Sequence, residues 1–133
     1  MMYNEPVSHQ LKPYAPLTAA DLDPSSHPVV HVVAFTLSAK MEEEKLVHLI
    51  TDVRRHVPGV IELYFGQDKK DTYHGKIDRS GGYNYVLVSR HINSKFLEIY
   101  QKHPLHLKLA TFLTSHATNK PVALDFVNIP SRL

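Results

Sequence analysis

The clearest patterning in the chain is a β-branched run over residues 29–37, Val-Val-His-Val-Val-Ala-Phe-Thr-Leu, which predicts a strand. A period of two puts His31, Val33, Phe35 and Leu37 on one face and Val30, Val32, Ala34 and Thr36 on the other. Both faces are largely apolar, so the strand asks for cover on both sides. Glu42, Glu43 and Glu44 then open a helix, where acidic groups suit the helix dipole. Leu46, Leu49, Ile50, Val53 and Val57 follow at helical spacing, and Pro58-Gly59 stops them. Residues 60–66 read as a second strand, with Ile61, Leu63 and Phe65 on one face and Val60, Glu62 and Tyr64 on the other. Residues 67–82 are polar and glycine-containing and read as a loop, mobile at its tip.

A third strand is expected over 83–91, with Tyr83, Tyr85, Leu87 and Ser89 sharing a face. Asn93-Ser94 offers an N-cap for a short helix carrying Phe96, Leu97, Ile99 and Tyr100. Pro104 ends that helix and opens the next, which holds Leu105, Leu109, Phe112, Leu113 and His116. A last strand is expected over 120–129. Strand, helix, strand, strand, helix pair, strand is the order of an α+β, ferredoxin-like split βαβ unit, with a four-stranded antiparallel sheet and helices on one face. The other face is left apolar and bare, and pairing two copies through it would close a dimeric α+β barrel.

Composition narrows the picture. With 133 residues and 43% hydrophobic content, one domain is expected over 29–129, preceded by a proline-rich arm over 1–28 and followed by a short tail over 130–133. Charged residues make up 21% and the net charge is +2, which gives no special pull towards nucleic acid or membrane. No apolar run approaches the roughly 18 residues that span a bilayer, and the first residues lack the features of a secretory signal. The expectation is a soluble cytoplasmic protein. There is no cysteine, which removes disulfides, thiol nucleophiles and thiolate metal sites. No glycine-rich phosphate loop, serine elbow or dinucleotide fingerprint occurs, so nucleotide-dependent and triad chemistry are poor readings. His31, His103 and His106 could together face a metal, but no nearby carboxylate completes the set, and neither metal nor cofactor is expected.

Candidate chemistry concentrates at Tyr100-Gln-Lys-His103-Pro104-Leu-His106. On a straight helix Tyr100 and His106 would lie about 120° from facing one another, but a corner at Pro104 lets them converge. A neutral His106 imidazole then suits removal of a proton beside a carbonyl, with Tyr100 orienting it or donating its hydroxyl to the developing oxyanion. His31, Phe35, Tyr85 and His103 are the candidate substrate-binding residues. The bland reading is that Tyr100 and His106 lock the corner, His31 is a satisfied core residue and His103 bonds a helix end. A further alternative comes from Gly81-Gly82-Tyr83-Asn84-Tyr85-Val86, which superficially looks like a base-stacking RNA-binding strand and would need Tyr85 on the face away from the helices.

Residues 29–129 resemble the stress-responsive A/B barrel, or Dabb, family. The carriers are His31-Val-Val-Ala-Phe35, Pro58-Gly59-Val60, Gly82-Tyr83, the Tyr100 to His106 motif and Asp125-Phe126. The resemblance implies a homodimeric barrel with a cavity in each subunit between sheet and helices. Within the family the chain is similar to plant polyketide cyclases that perform aldol condensation without a cofactor. That similarity matches a catalytic tyrosine and histidine to Tyr100 and His106, and a first-strand histidine to His31. A third-strand pocket histidine falls at Tyr85 here, which changes the pocket. The implied function is binding, and cofactor-free cyclisation or proton transfer, of a small hydrophobic carbonyl or phenolic compound. The alternative is a non-catalytic stress-response or scaffold dimer.

Overall fold

The computed structural model describes residues 18–19 and 29–129. The expected arm, apart from residues 18–19, and the expected tail lie outside the described residues. The elements are β1 (Val29–Phe35), α1 (Glu43–His56), β2 (Val60–Gln67), β3 (Tyr85–His91), α2 (Ser94–Lys102), α3 (Pro104–His116) and β4 (Val122–Val127). The strands form one antiparallel sheet in the order β2-β3-β1-β4, giving the α+β ferredoxin-like fold expected from the element order.

Local chemistry accounts for most of the boundaries. Glu43 and Glu44 lie in the first turn of α1 and Arg54, Arg55 and His56 in its last, matching both ends of the macrodipole. Leu46, Leu49 and Val53 form its buried stripe. The chain leaves α1 through Gly59, which sits at φ +79°; an added Cβ there would come within 2.4 Å of the Phe96 side chain, so glycine is needed for backbone and space alike. The Gly59 carbonyl accepts the Ile92 amide at 3.0 Å, tying the start of β2 to the end of β3. Asn93 caps α2 by accepting the Phe96 amide at 3.1 Å.

Two details depart from simple periodicity. The ladder between β1 and β3 ends at the Phe35 and Tyr85 pair, short of the expected reach to Leu37 and Tyr83. The Asn84 side chain takes its place, accepting from the Leu37 amide at 2.8 Å and donating to the Leu37 carbonyl at 3.0 Å. In β2 the register shifts between Val60 and Glu62, so Ile61 is the extra residue of a bulge. Val60 therefore turns inwards opposite His91 and is buried, rather than sharing a face with Glu62 and Tyr64. In the loop expected to be mobile, Lys76 pairs with Asp68 at 3.1 Å and Lys70 with Asp78 at 3.3 Å.

The helix-facing side of the sheet carries His31, Val33 and Phe35 from β1, Leu63 and Phe65 from β2, and Tyr85, Leu87, Ser89 and His91 from β3. Its apolar members join Leu46, Leu49, Val53, Leu105, Leu109, Phe112 and Leu113 in one core. Tyr85 lies directly opposite Phe35 and stacks on Phe65 at 5.6 Å. The base-stacking reading required Tyr85 on the opposite side and is removed. That opposite side presents Val30, Val32, Ala34, Val86, Val88, Val122, Leu124 and Phe126, uncovered among the described residues. Leu124 and Phe126 there are 63% and 47% exposed.

Candidate functional site

The corner that Pro104 creates brings Tyr100 and His106 together. Pro104 stands at the first position of α3, where a missing amide hydrogen costs nothing. His103 serves both helices: it is the C-cap of α2, and its Nδ1 accepts the Leu105 amide at 3.1 Å as the N-cap of α3. The result is a ring-centroid separation of 4.3 Å between Tyr100 and His106. Two more imidazoles complete the surround. His31 from β1 meets Tyr100 edge-on at 5.7 Å, and His91 from β3 lies at 4.7 Å.

Each imidazole is fixed from outside the cluster. His106 Nδ1 donates to the Gln101 carbonyl at 3.1 Å, and since a carbonyl only accepts, the neutral ring presents a bare Nε2 lone pair. His31 Nδ1 contacts the Asp125 carboxylate at 2.5 Å, which orients that ring in the same way. His91 Nε2 and Ser89 Oγ are 2.8 Å apart. Tyr100, by contrast, is fully buried with its hydroxyl unpartnered, and His91 Nδ1 is also buried without a partner. A buried polar group left unsatisfied costs about 1–3 kcal/mol. The cluster reaches solvent at its α3 and β4 margin, where His106 is half-buried and Asp125 is exposed.

Burial sets the protonation states. Desolvation lowers the His91 pKa from its ordinary 6.5 to about 4, with smaller contributions from its histidine neighbours His31 and His106. His106 is also lowered, chiefly by burial, against the raising effect of its bond to Gln101. Burial pushes the Tyr100 phenol up to about 12, against the opposing pull of the nearby Ser89 hydroxyl. At neutral pH the cluster therefore offers a protonated phenol facing a neutral imidazole, the pairing that general acid and general base steps require.

The other sequence-predicted residues lie elsewhere. Phe35 and Tyr85 pair at the opposite end of β1 and β3 and join Phe65, four residues along from His31 and Ser89, or about 13 Å at strand rise. His103 is engaged in capping and is lowered in pKa by burial, with His56 adding to that. Sequence reasoning did not single out Ser89, His91 or Asp125 as site residues. Period two from Tyr85 does place His91 on the face of His31, so its signal was present; Asp125 needed the β1 to β4 register, which sets it opposite His31. A separate open groove of about 490 Å³ lies between α1 and α3, lined by Lys45, Leu49, Leu107, Lys108 and Phe112 among others. Among the described residues no group of three or more His, Asp or Glu side chains could hold a metal ion, and no helix is long and apolar enough to cross a membrane.

The model of the stress-responsive A/B barrel domain matches residues 29–128. The chain belongs to the Dabb family. Solved structures similar to this Dabb chain include a protein of Arabidopsis thaliana, at 18% identity and TM-score 0.64, covering 80% of this chain and 100% of that one. A hydroxynitrile lyase from Passiflora edulis matches at 16% identity and TM-score 0.64, covering 79% and 96%. A dimeric ferredoxin-like protein of unknown function from Thermobifida fusca matches at 17% and 0.58, covering 75% and 90%. At these identities the likeness is one of fold. Among curated proteins none matches this Dabb chain.

The lowered imidazoles make stability depend on pH with a definite sign. Below pH 6.5 the unfolded chain binds protons that folded His91, His103 and His106 resist, so stability is full above 6.5 and falls as pH drops towards 4. For His91 alone the loss reaches roughly 3 kcal/mol. Urea unfolding at pH 7 and pH 4.5 should show this decline, and a smaller one in His91→Phe. Equal stability at the two pH values would contradict the assigned protonation states.

Proposed function

We propose that the chain is a homodimer that binds a small, partly hydrophobic carbonyl or phenolic compound at the Tyr100 cluster. The observation that carries this reading is the buried, unpartnered Tyr100 hydroxyl, set 4.3 Å ring to ring from an imidazole held neutral. A polar hydroxyl sealed among rings without a partner is costly as pure structure, and a ligand oxygen would satisfy it. The chemistry that fits is cofactor-free proton transfer. His106 Nε2 removes a proton beside a carbonyl while Tyr100 donates to the oxygen on which negative charge develops, as in the aldol-type cyclisation of plant polyketide cyclases. His31, steadied by Asp125, lines the same cluster and stabilises charge beside it. A ligand reaches Tyr100 from the α3 and β4 margin, with rotation of the half-buried His106.

Among the structures that share the fold are a hydroxynitrile lyase and a cofactor-independent oxygenase from Streptomyces nogalater, so the scaffold hosts reactions on small molecules. Pairing of two copies is supported by the uncovered apolar sheet face, since exposed patches of this kind mark association surfaces. It is supported too by the dimers described for the Thermobifida fusca and Jannaschia proteins. The second reading, a scaffold dimer without turnover, is favoured by the complete burial of Tyr100.

Thermal shift against 2,4-dihydroxyacetophenone, resorcinol and benzoic acid separates the two readings. A ligand of the native state raises the midpoint of the wild type once its concentration exceeds the dissociation constant. The response should fall at least several-fold in Tyr100→Phe and His106→Ala. If nothing binds and both substitutions only lower the unligated midpoint, the corner is structural. Sedimentation velocity tests the pairing: wild type should run as a dimer and Leu124→Lys as a folded monomer, whereas a monomeric wild type would refute it.

A further inference from the structure

Behind the Tyr100 ring, on the sheet, lie two buried polar side chains that the proton transfer proposed above leaves unused. Ser89 and His91 share the inner face of β3, both are fully buried, and Ser89 Oγ lies 2.8 Å from His91 Nε2. The His91 ring is 4.7 Å from that of Tyr100, and the Ser89 hydroxyl is the group that draws the Tyr100 phenol back towards ionisation. His91 Nδ1 has no partner.

One hydrogen lies between Ser89 and His91, and it comes from either side. If serine donated it, the imidazole would carry its own hydrogen on Nδ1 and leave a buried N–H with no acceptor. Buried N–H groups without acceptors are rarer than under-satisfied acceptors, and an orphan costs about 1–3 kcal/mol. With the hydrogen on Nε2, only a bare lone pair is left at Nδ1. Imidazole then donates to serine, and the serine hydrogen is free for the nearby phenol oxygen of Tyr100.

We propose that Ser89 and His91 are positioning residues that aim the Tyr100 hydroxyl: it has no partner in the ligand-free chain, and the run from His91 to Ser89 closes on its oxygen when a ligand accepts the tyrosine's hydrogen. Once that oxygen accepts from Ser89 on the sheet side, the tyrosine's own hydrogen is turned away from the sheet, towards His106 and a ligand. Successive donors in a chain polarise one another, so Tyr100 becomes a stronger donor. The consequence is specificity: the site favours a ligand that places an acceptor oxygen, such as a ketone or aldehyde carbonyl, at Tyr100. This inference rests on the binding reading given above for its ligand, but not for its hydrogen-bond order.

Two measurements test it, and the first needs no ligand. Long-range ¹H–¹⁵N NMR of histidine-labelled protein, with His91 identified by its loss in His91→Gln, should find the neutral ring protonated on Nε2. Protonation on Nδ1 overturns the proposal. The second compares dissociation constants for 2,4-dihydroxyacetophenone and for resorcinol, which keeps the two hydroxyls and lacks the carbonyl. Ser89→Ala and His91→Phe should weaken the ketone about ten-fold, the scale of one lost hydrogen bond. They should leave resorcinol almost unchanged, and His91→Gln, whose amide can still donate to Ser89, should recover most of the ketone affinity. Equal losses for both probes would mean that the pair only shapes the pocket, and would overturn it. If wild type binds neither probe, the binding reading fails, while the tautomer still decides the order of the chain.

Discussion

Pro104 donates no amide hydrogen, and much of the candidate site follows from that. A continuous helix from Ser94 to His116 would splay Tyr100 and His106 apart. The break at His103 folds them onto one another instead, and His103 caps the new helix with its own ring nitrogen. The broken helix needs no other device. Two buried side-chain atoms at the junction, His103 Nε2 and the Tyr100 hydroxyl, are left without a partner. The tightness of the corner is thus matched by a small residual cost, and it places a phenol and an imidazole ring to ring at the surface of the sheet.

The sheet supplies what the corner meets. β1 and β3 pair so that His31 stands opposite Ser89, with His91 two residues on along the same face. The inner face is therefore apolar at one end, where Phe35, Phe65 and Leu87 pack into the core, and polar at the other, where His31, Ser89 and His91 lie under Tyr100. That polar end sits at the margin of β4, whose residues are all exposed. The outer face is apolar throughout its centre and uncovered. One sheet thus separates a candidate ligand site from a candidate association surface. A single-residue slip of register would exchange the two sets of side chains.

The sequence was most informative where local chemistry decides the outcome. The β-branched run, the amphipathic helix over Glu43–His56, the Asn93 cap and the Pro104 corner each act within a few residues, and all were legible. Tyr100 with His106 could be paired in advance because a helix break has a predictable effect on facing. The bulge at Ile61 was not legible, since it depends on how β2 meets β3 and not on β2 itself. The same holds for Asn84, whose side chain replaces a ladder rung only because Leu37 arrives beside it. Asp125 lies 94 residues from His31 in sequence, and nothing short of the strand register joins them. His91 is different: alternation along β3 already puts it on the inner face with Tyr85, Leu87 and Ser89, so its signal lies within the strand itself. Phe35 and Tyr85 share the inner face with His31 and Ser89 but lie at its other end, a distinction that face alone cannot make.

A crystal structure of the protein with 2,4-dihydroxyacetophenone would test the account most directly. The ketone oxygen should lie within hydrogen-bonding distance of the Tyr100 hydroxyl, with the carbon beside the carbonyl facing His106 Nε2 and Asp125 still holding His31. A ketone seated instead in the groove between α1 and α3, beside Lys45 and Phe112, with the Tyr100 cluster closed and unchanged, would contradict it.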